Sequence, residues 1–152
     1  MVALGNTLAI SRYADHEPLA AEDPFIRAEL DAMRRADGFI FVVDARPIRA
    51  EASQVVFFQF KRDLVAFGRD PDDCPVVFQV NHPPPPQEVL SWDPVNGYSP
   101  VPQGDFLPLP MAWVRDNFST RRCAYIETSA HLGVGTTEAV VELVRLIVEP
   151  AL

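Results

Sequence analysis

Three strand-length apolar runs, separated by segments of helical periodicity, predict an α/β fold: a three-layer sandwich around a mostly parallel sheet of about four strands. The runs are 39–43, 75–80 and 123–127. None alternates polar with apolar residues, which is the pattern of a strand covered on both faces. Between them, apolar residues recur at three- and four-residue spacing, and proline or glycine marks most of the changes of period. Strand and helix in alternation call for parallel strands joined by right-handed crossovers.

The elements follow in order. Thr7 to Tyr13 reads as a first strand, with Leu8 and Ile10 on one face. Asp23-Pro24 opens a helix, with an oxygen acceptor at the N-cap and a proline at N1, where a missing N–H is harmless. Ile26, Leu30 and Met33 carry it to Ala36, and Asp37-Gly38 delivers the strand 39–43. Pro47 starts a second helix with Phe57, Phe60, Leu64 and Phe67 on one stripe and Gly68 as the C′ residue. Asn81 closes the strand 75–80. From His82 to Pro110 the pattern dissolves. Four consecutive prolines, Pro83 to Pro86, and five more by Pro110 are expected to forbid helix and strand alike and to favour polyproline II and turns. A segment of this length inside a compact domain is normally functional or mobile rather than filler. Met111 to Phe118 forms a short helix, 123–127 the last strand, and Thr136 or Thr137 caps a final helix with Val140, Leu143, Val144 and Ile147 on one face before Pro150 ends it.

Residues 1–152 suit one domain with a real core. The net charge of −8 argues against nucleic acid and anionic membrane, both of which need a basic face. The longest apolar runs are strand-sized and the N-terminus lacks a signal-peptide layout, so a cytoplasmic protein is expected. Cys74 and Cys123 stand at strand starts and are expected as buried thiols rather than a disulfide or metal clip.

Two motifs carry a resemblance. Val80-Asn81-His82-Pro83-Pro84 ends one apolar strand, and Thr128-Ser129-Ala130 ends another just before a helix. In this order, from about Leu8 to Val148 without the proline-rich loop, the chain resembles a Ras-like small GTPase of the bacterial polarity type, from that family's third strand to its last helix. The resemblance implies that Asn81, Ser129 and Ala130 occupy guanine-site positions, the backbone of the Thr-Ser-Ala motif approaching the base oxygen. It also exposes losses. The family's Asn-Lys-x-Asp becomes Asn81-His82-Pro83-Pro84, so the stacking lysine is His82 and the base-pairing aspartate is Pro84. The switch motif Asp-x-x-Gly-Gln falls on Arg12-Tyr13-Ala14-Asp15-His16. There Asp15 replaces the glycine that meets the γ-phosphate, and His16 stands at the water-orienting position. No Gly-x-x-x-x-Gly-Lys-Ser/Thr phosphate loop occurs in these residues.

The resemblance implies a G-domain-like unit truncated by two strands, the first of which is central in the family's sheet. The gap can close by direct pairing of the strands at 7–13 and 39–43, be filled by another chain, or be filled by an upstream segment; closure is expected. Functionally, the sequence suggests a pseudo-GTPase that binds no cofactor and acts through protein partners. The loop 82–110, with Trp92, Tyr98 and Phe106, offers a docking surface, and a homo-oligomer is conceivable. A second reading is a GTP/GDP switch using Mg, with its phosphate loop supplied from outside these residues. A third is a metal enzyme using His16, His82, His131, Asp15 and Asp44, all placed after strand ends, where open α/β sheets put ligands.

Overall fold

The computed structural model of the chain describes residues 24–82, 90–93, 97–100 and 107–149. The predicted strand Thr7–Tyr13, the Asp23 cap, Asp15 and His16 lie outside the described residues. Within them the element order is α1 (Pro24–Arg35), β1 (Phe39–Asp44), a 3-10 turn (Pro47–Arg49), α2 (Ala50–Ala66), β2 (Val76–Asn81), β3 (Leu90–Asp93), β4 (Gly97–Pro100), α3 (Met111–Asn117), β5 (Cys123–Thr128) and α4 (Thr136–Val148).

The main sheet is open and parallel, with order β1-β2-β5. The three apolar runs are its strands, and helices cover both faces. Alternate residues divide two cores. Phe39, Phe41 and Val43 of β1 and Val76, Phe78 and Val80 of β2 meet Met33 of α1, Phe57, Phe60 and Leu64 of α2, and Val114 of α3. Ile40 and Val77 face the other way, onto Ala139 and Leu143 of α4. The larger core is aromatic. Phe41 lies edge-on to Phe57 with ring centroids 5.2 Å apart, and Phe78 stacks on Tyr125 at 5.3 Å. Each such pair contributes about 1 kcal/mol beyond burial.

Three details depart from expectation. Residues 82–110 are not devoid of strand: β3 and β4 pair antiparallel as a separate two-stranded sheet, with Trp92 opposite Tyr98 in register. Prolines are compatible with this because only Pro100 falls inside either strand, and it is the terminal residue. Secondly, no threonine caps α4. Its N-cap is Gly135 at φ 82°, and Thr136 is already helical. A Cβ on Gly135 would stand 2.4 Å from the carbonyl oxygen of Glu127, so only glycine lets the helix start this close to β5. Thirdly, the buried residues of α4 are Ala139 and Leu143, with Leu146 partly buried beside them, rather than the stripe Val140, Leu143, Val144 and Ile147. Val140 and Ile147 are about two-fifths exposed, at 40% and 38%.

Other expectations match. Pro47 begins the helical region, as a 3-10 turn leading into α2, and Gly68 follows the α2 C-cap at φ 73°. Cys74 is buried, Cys123 half-buried, and both are free thiols. Burial, chiefly, raises the Cys74 thiol above its ordinary pKa, against the lowering influence of Arg69. Opposite the candidate site, the Arg122 guanidinium reaches the C-terminal carbonyls of α4, accepting partners being Leu146 and Glu149. These are two of the carbonyls a helix end leaves unpaired.

Candidate functional site

The carboxyl ends of the three parallel strands lie in register, Asp44 beside Asn81 and Asn81 beside Thr128. Register therefore places the ends of both motifs side by side, although 47 positions separate Asn81 from Thr128 along the chain. The backbone stays paired one residue further. Ala45 donates to the Asn81 carbonyl at 3.0 Å, and His82 to that of Thr128 at 2.8 Å. Leu109 then donates to Ala45 at 2.7 Å. The proline-rich excursion thus leaves this edge at His82 and returns to it at Leu109.

Asn81 and Ala130 meet directly. The Ala130 amide donates to Asn81 Oδ1 at 2.9 Å. Ser129 is held differently: its N–H donates to the Val134 carbonyl at 3.0 Å, and Val134 donates back at 3.1 Å. The loop 129–134 is consequently a closed turn that leads to Gly135. Beneath it, buried Thr128 donates its hydroxyl to the Val80 carbonyl at 3.3 Å. Both motif amides are thus engaged inside the protein, one by Asn81 and one by Val134.

The flanking charges are also internally arranged. Asp44 accepts from the Arg46 backbone N–H and from its Nε, each at 3.0 Å, with Nη2 on the second oxygen. Burial pushes the Asp44 carboxyl upward, but the Arg46 hydrogen bonds and the charges of Arg46 and Arg49 together outweigh it, leaving the carboxyl below its ordinary range. His82 Nε2 is buried, makes no hydrogen bond with a described residue, and lies 3.8 Å from Glu127 Oε1. That distance permits attraction when the imidazole is protonated but no hydrogen bond. Asp44, His82 and His131 do not gather as metal ligands; among the described residues no group of three or more His, Cys, Asp or Glu comes together in that way.

A cleft beside this edge is an addition to the sequence reading. A cleft of about 580 Å³ runs along the outer edge of β5, lined by Met111 and Arg115 of α3, Tyr125 and Glu127 of β5, and Gly135 and Glu138 at the start of α4. The Arg115 guanidinium sits over the Tyr125 ring at 5.3 Å. The Tyr125 hydroxyl donates to the Phe118 carbonyl at 2.6 Å. Burial, and then the Cys123 thiol, hold that hydroxyl well above its ordinary pKa. A signal for this cleft existed in the sequence, since the last strand of an open sheet is commonly an edge. Which residues would wall it depends on where α3 and α4 dock.

No family model and no curated protein matches the chain. No helix among the described residues is long and apolar enough to cross a membrane.

Proposed function

We propose that these residues act as a pseudo-GTPase-like interaction module: a G-domain-like scaffold that engages protein partners and does not hydrolyse GTP. The observation that carries this reading is the Ala130 amide held on Asn81 Oδ1 at 2.9 Å, with the Ser129 amide turned to Val134. In the family resemblance this motif's backbone serves the guanine oxygen. Here it is committed to the protein's own groups. To recruit it, a base would have to break or share a hydrogen bond, forgoing about 1 kcal/mol of its binding energy for each. The sequence adds two further deficits: Pro84 stands where a carboxylate would read the base, and no glycine-rich lysine loop is present to hold phosphates. The partner surface we favour is the excursion 82–110, anchored at the strand edge by His82 and Leu109 and containing the β3–β4 hairpin.

The alternative is a GTP/GDP switch completed from outside these residues, with Mg and the phosphate loop supplied elsewhere. The two readings separate on titration with fluorescent GTP and GDP, with and without magnesium. The module reading expects no saturable binding at micromolar concentrations. Saturable, magnesium-dependent binding that is lost in Asn81→Ala overturns it in favour of the switch.

A further inference from the structure

The helix α2 has two faces of opposite purpose. One is buried through Phe57, Phe60 and Leu64. The other is exposed, yet Val55, Phe58 and Val65 lie on it at 58%, 74% and 61% exposure, with Ile48 of the preceding 3-10 turn at 86%. Large apolar side chains scattered singly on a surface are ordinary. These are not scattered. At 100° per residue, Glu51, Val55, Phe58, Arg62 and Val65 fall within a strip roughly 80° wide. Apolar residues fill its centre, an acid stands near its start and a base near its end.

Glu51 and Arg62 are both exposed, and neither forms an ion pair or side-chain hydrogen bond with a described residue. The neighbouring charges of α2 are already used: Lys61 is paired with Asp72, and Asp63 accepts from Gln59. The stripe is also self-complementary. A two-fold axis crossing the helix between Val56 and Phe57 lays α2 antiparallel on its own copy. That single operation sets Val55 against Phe58, Glu51 against Arg62 and Ile48 against Val65, each pair made twice. An isologous contact requires this reciprocity, residue for residue.

We infer that this face of α2 is the interface of a homodimer, formed by antiparallel pairing of α2 with a second copy of the chain. Its occupant follows from charge order: a like-charged or parallel neighbour would oppose Glu51 to Glu51 and Arg62 to Arg62, whereas the antiparallel copy neutralises both. The contact is small, one helix face per protomer, and belongs with weak, reversible interfaces. The inference concerns a different surface from the excursion 82–110 and does not depend on whether nucleotide binds.

Sedimentation velocity over a series from micromolar to near-millimolar protein tests it, with far-UV circular dichroism as the folding control. The expected result is a concentration-dependent monomer–dimer equilibrium that Phe58→Asp abolishes without changing the dichroism. Glu51→Arg and Arg62→Glu should each weaken dimerisation by roughly tenfold, through like charges brought together at two symmetric places. The double variant Glu51→Arg with Arg62→Glu should recover most of that loss, because exchanging the charges preserves their complementarity. A monomer throughout the series, a dimer indifferent to Phe58→Asp, or single reversals that the double variant fails to rescue would each overturn the inference.

Discussion

Replacing Gly135 by alanine perturbs the joint between β5 and α4, and its cost can be worked from two contributions. The residue sits at φ 82°, a region that costs a residue with a Cβ about 1–2 kcal/mol. The new methyl would also stand 2.4 Å from the Glu127 carbonyl oxygen and 2.8 Å from Thr128 Cγ2, closer than real Cβ contacts come. Strand or helix must then shift, and overpacking of that sort costs about 1–3 kcal/mol. Together the destabilisation should be roughly 2–5 kcal/mol, a large part of the 5–15 kcal/mol typical of a domain. Gly133 provides the control within the same loop. Its φ is 66°, but a Cβ there meets nothing within 4 Å, so Gly133→Ala should cost only the backbone contribution, about 1–2 kcal/mol. Urea unfolding followed by circular dichroism measures both variants. If Gly135→Ala and Gly133→Ala lose the same stability, the close approach of α4 to β5 is not what demands glycine, and the explanation given for the missing threonine cap fails.

Two further outcomes follow from the same edge and core. Asn81→Ala should release the Ala130 amide, with a loss on the order of 1 kcal/mol read as about fivefold faster hydrogen exchange at Ala130. The Ser129 amide, bonded to Val134, should stay as protected as before, and equal change at both would refute the assigned partners. On the alkaline side, the folded state holds the Cys74 and Tyr125 protons more tightly than the unfolded chain does. Their stabilising contribution is complete below the unfolded thiol value of about 8.5 and is lost as pH rises above it, first through Cys74 and then through Tyr125. Melting temperature should therefore fall above about pH 8.5, with the early part of the fall reduced in Cys74→Ala. A flat profile to about pH 10 would contradict the burial argument for Cys74.

The legible parts of this fold were those that depend on local composition. Val76, Val77 and Phe78 read as a doubly covered strand because nothing polar interrupts them, and all three are buried. Phe57, Phe60 and Leu64 read as an inner stripe because their spacing leaves them on one face of any helix. The strand between Arg122 and Ser129 was equally plain. Within the candidate site, Asn81, Ser129 and Ala130 could be named from their places after strand ends. What they bond to could not, since the contact between Asn81 and Ala130 spans 49 positions and exists only because β2 and β5 are neighbours in parallel register. The Arg46 clamp on Asp44 lay within reach as an Asp-x-Arg pair, but pairing at that spacing depends on the bend that leads into the 3-10 turn.

The chain alone determined that three apolar strands would be sandwiched by helices, because period and polarity are properties of adjacent residues and need no partner to be read. Tertiary structure decided which of two apolar stripes on α4 was buried, that Gly135 rather than a threonine would start that helix, and that Val55, Phe58 and Val65 would be left facing outward. Each of those outcomes is set by what packs alongside, and a helix with apolar residues on more than one side carries no local mark of which side its neighbours will cover.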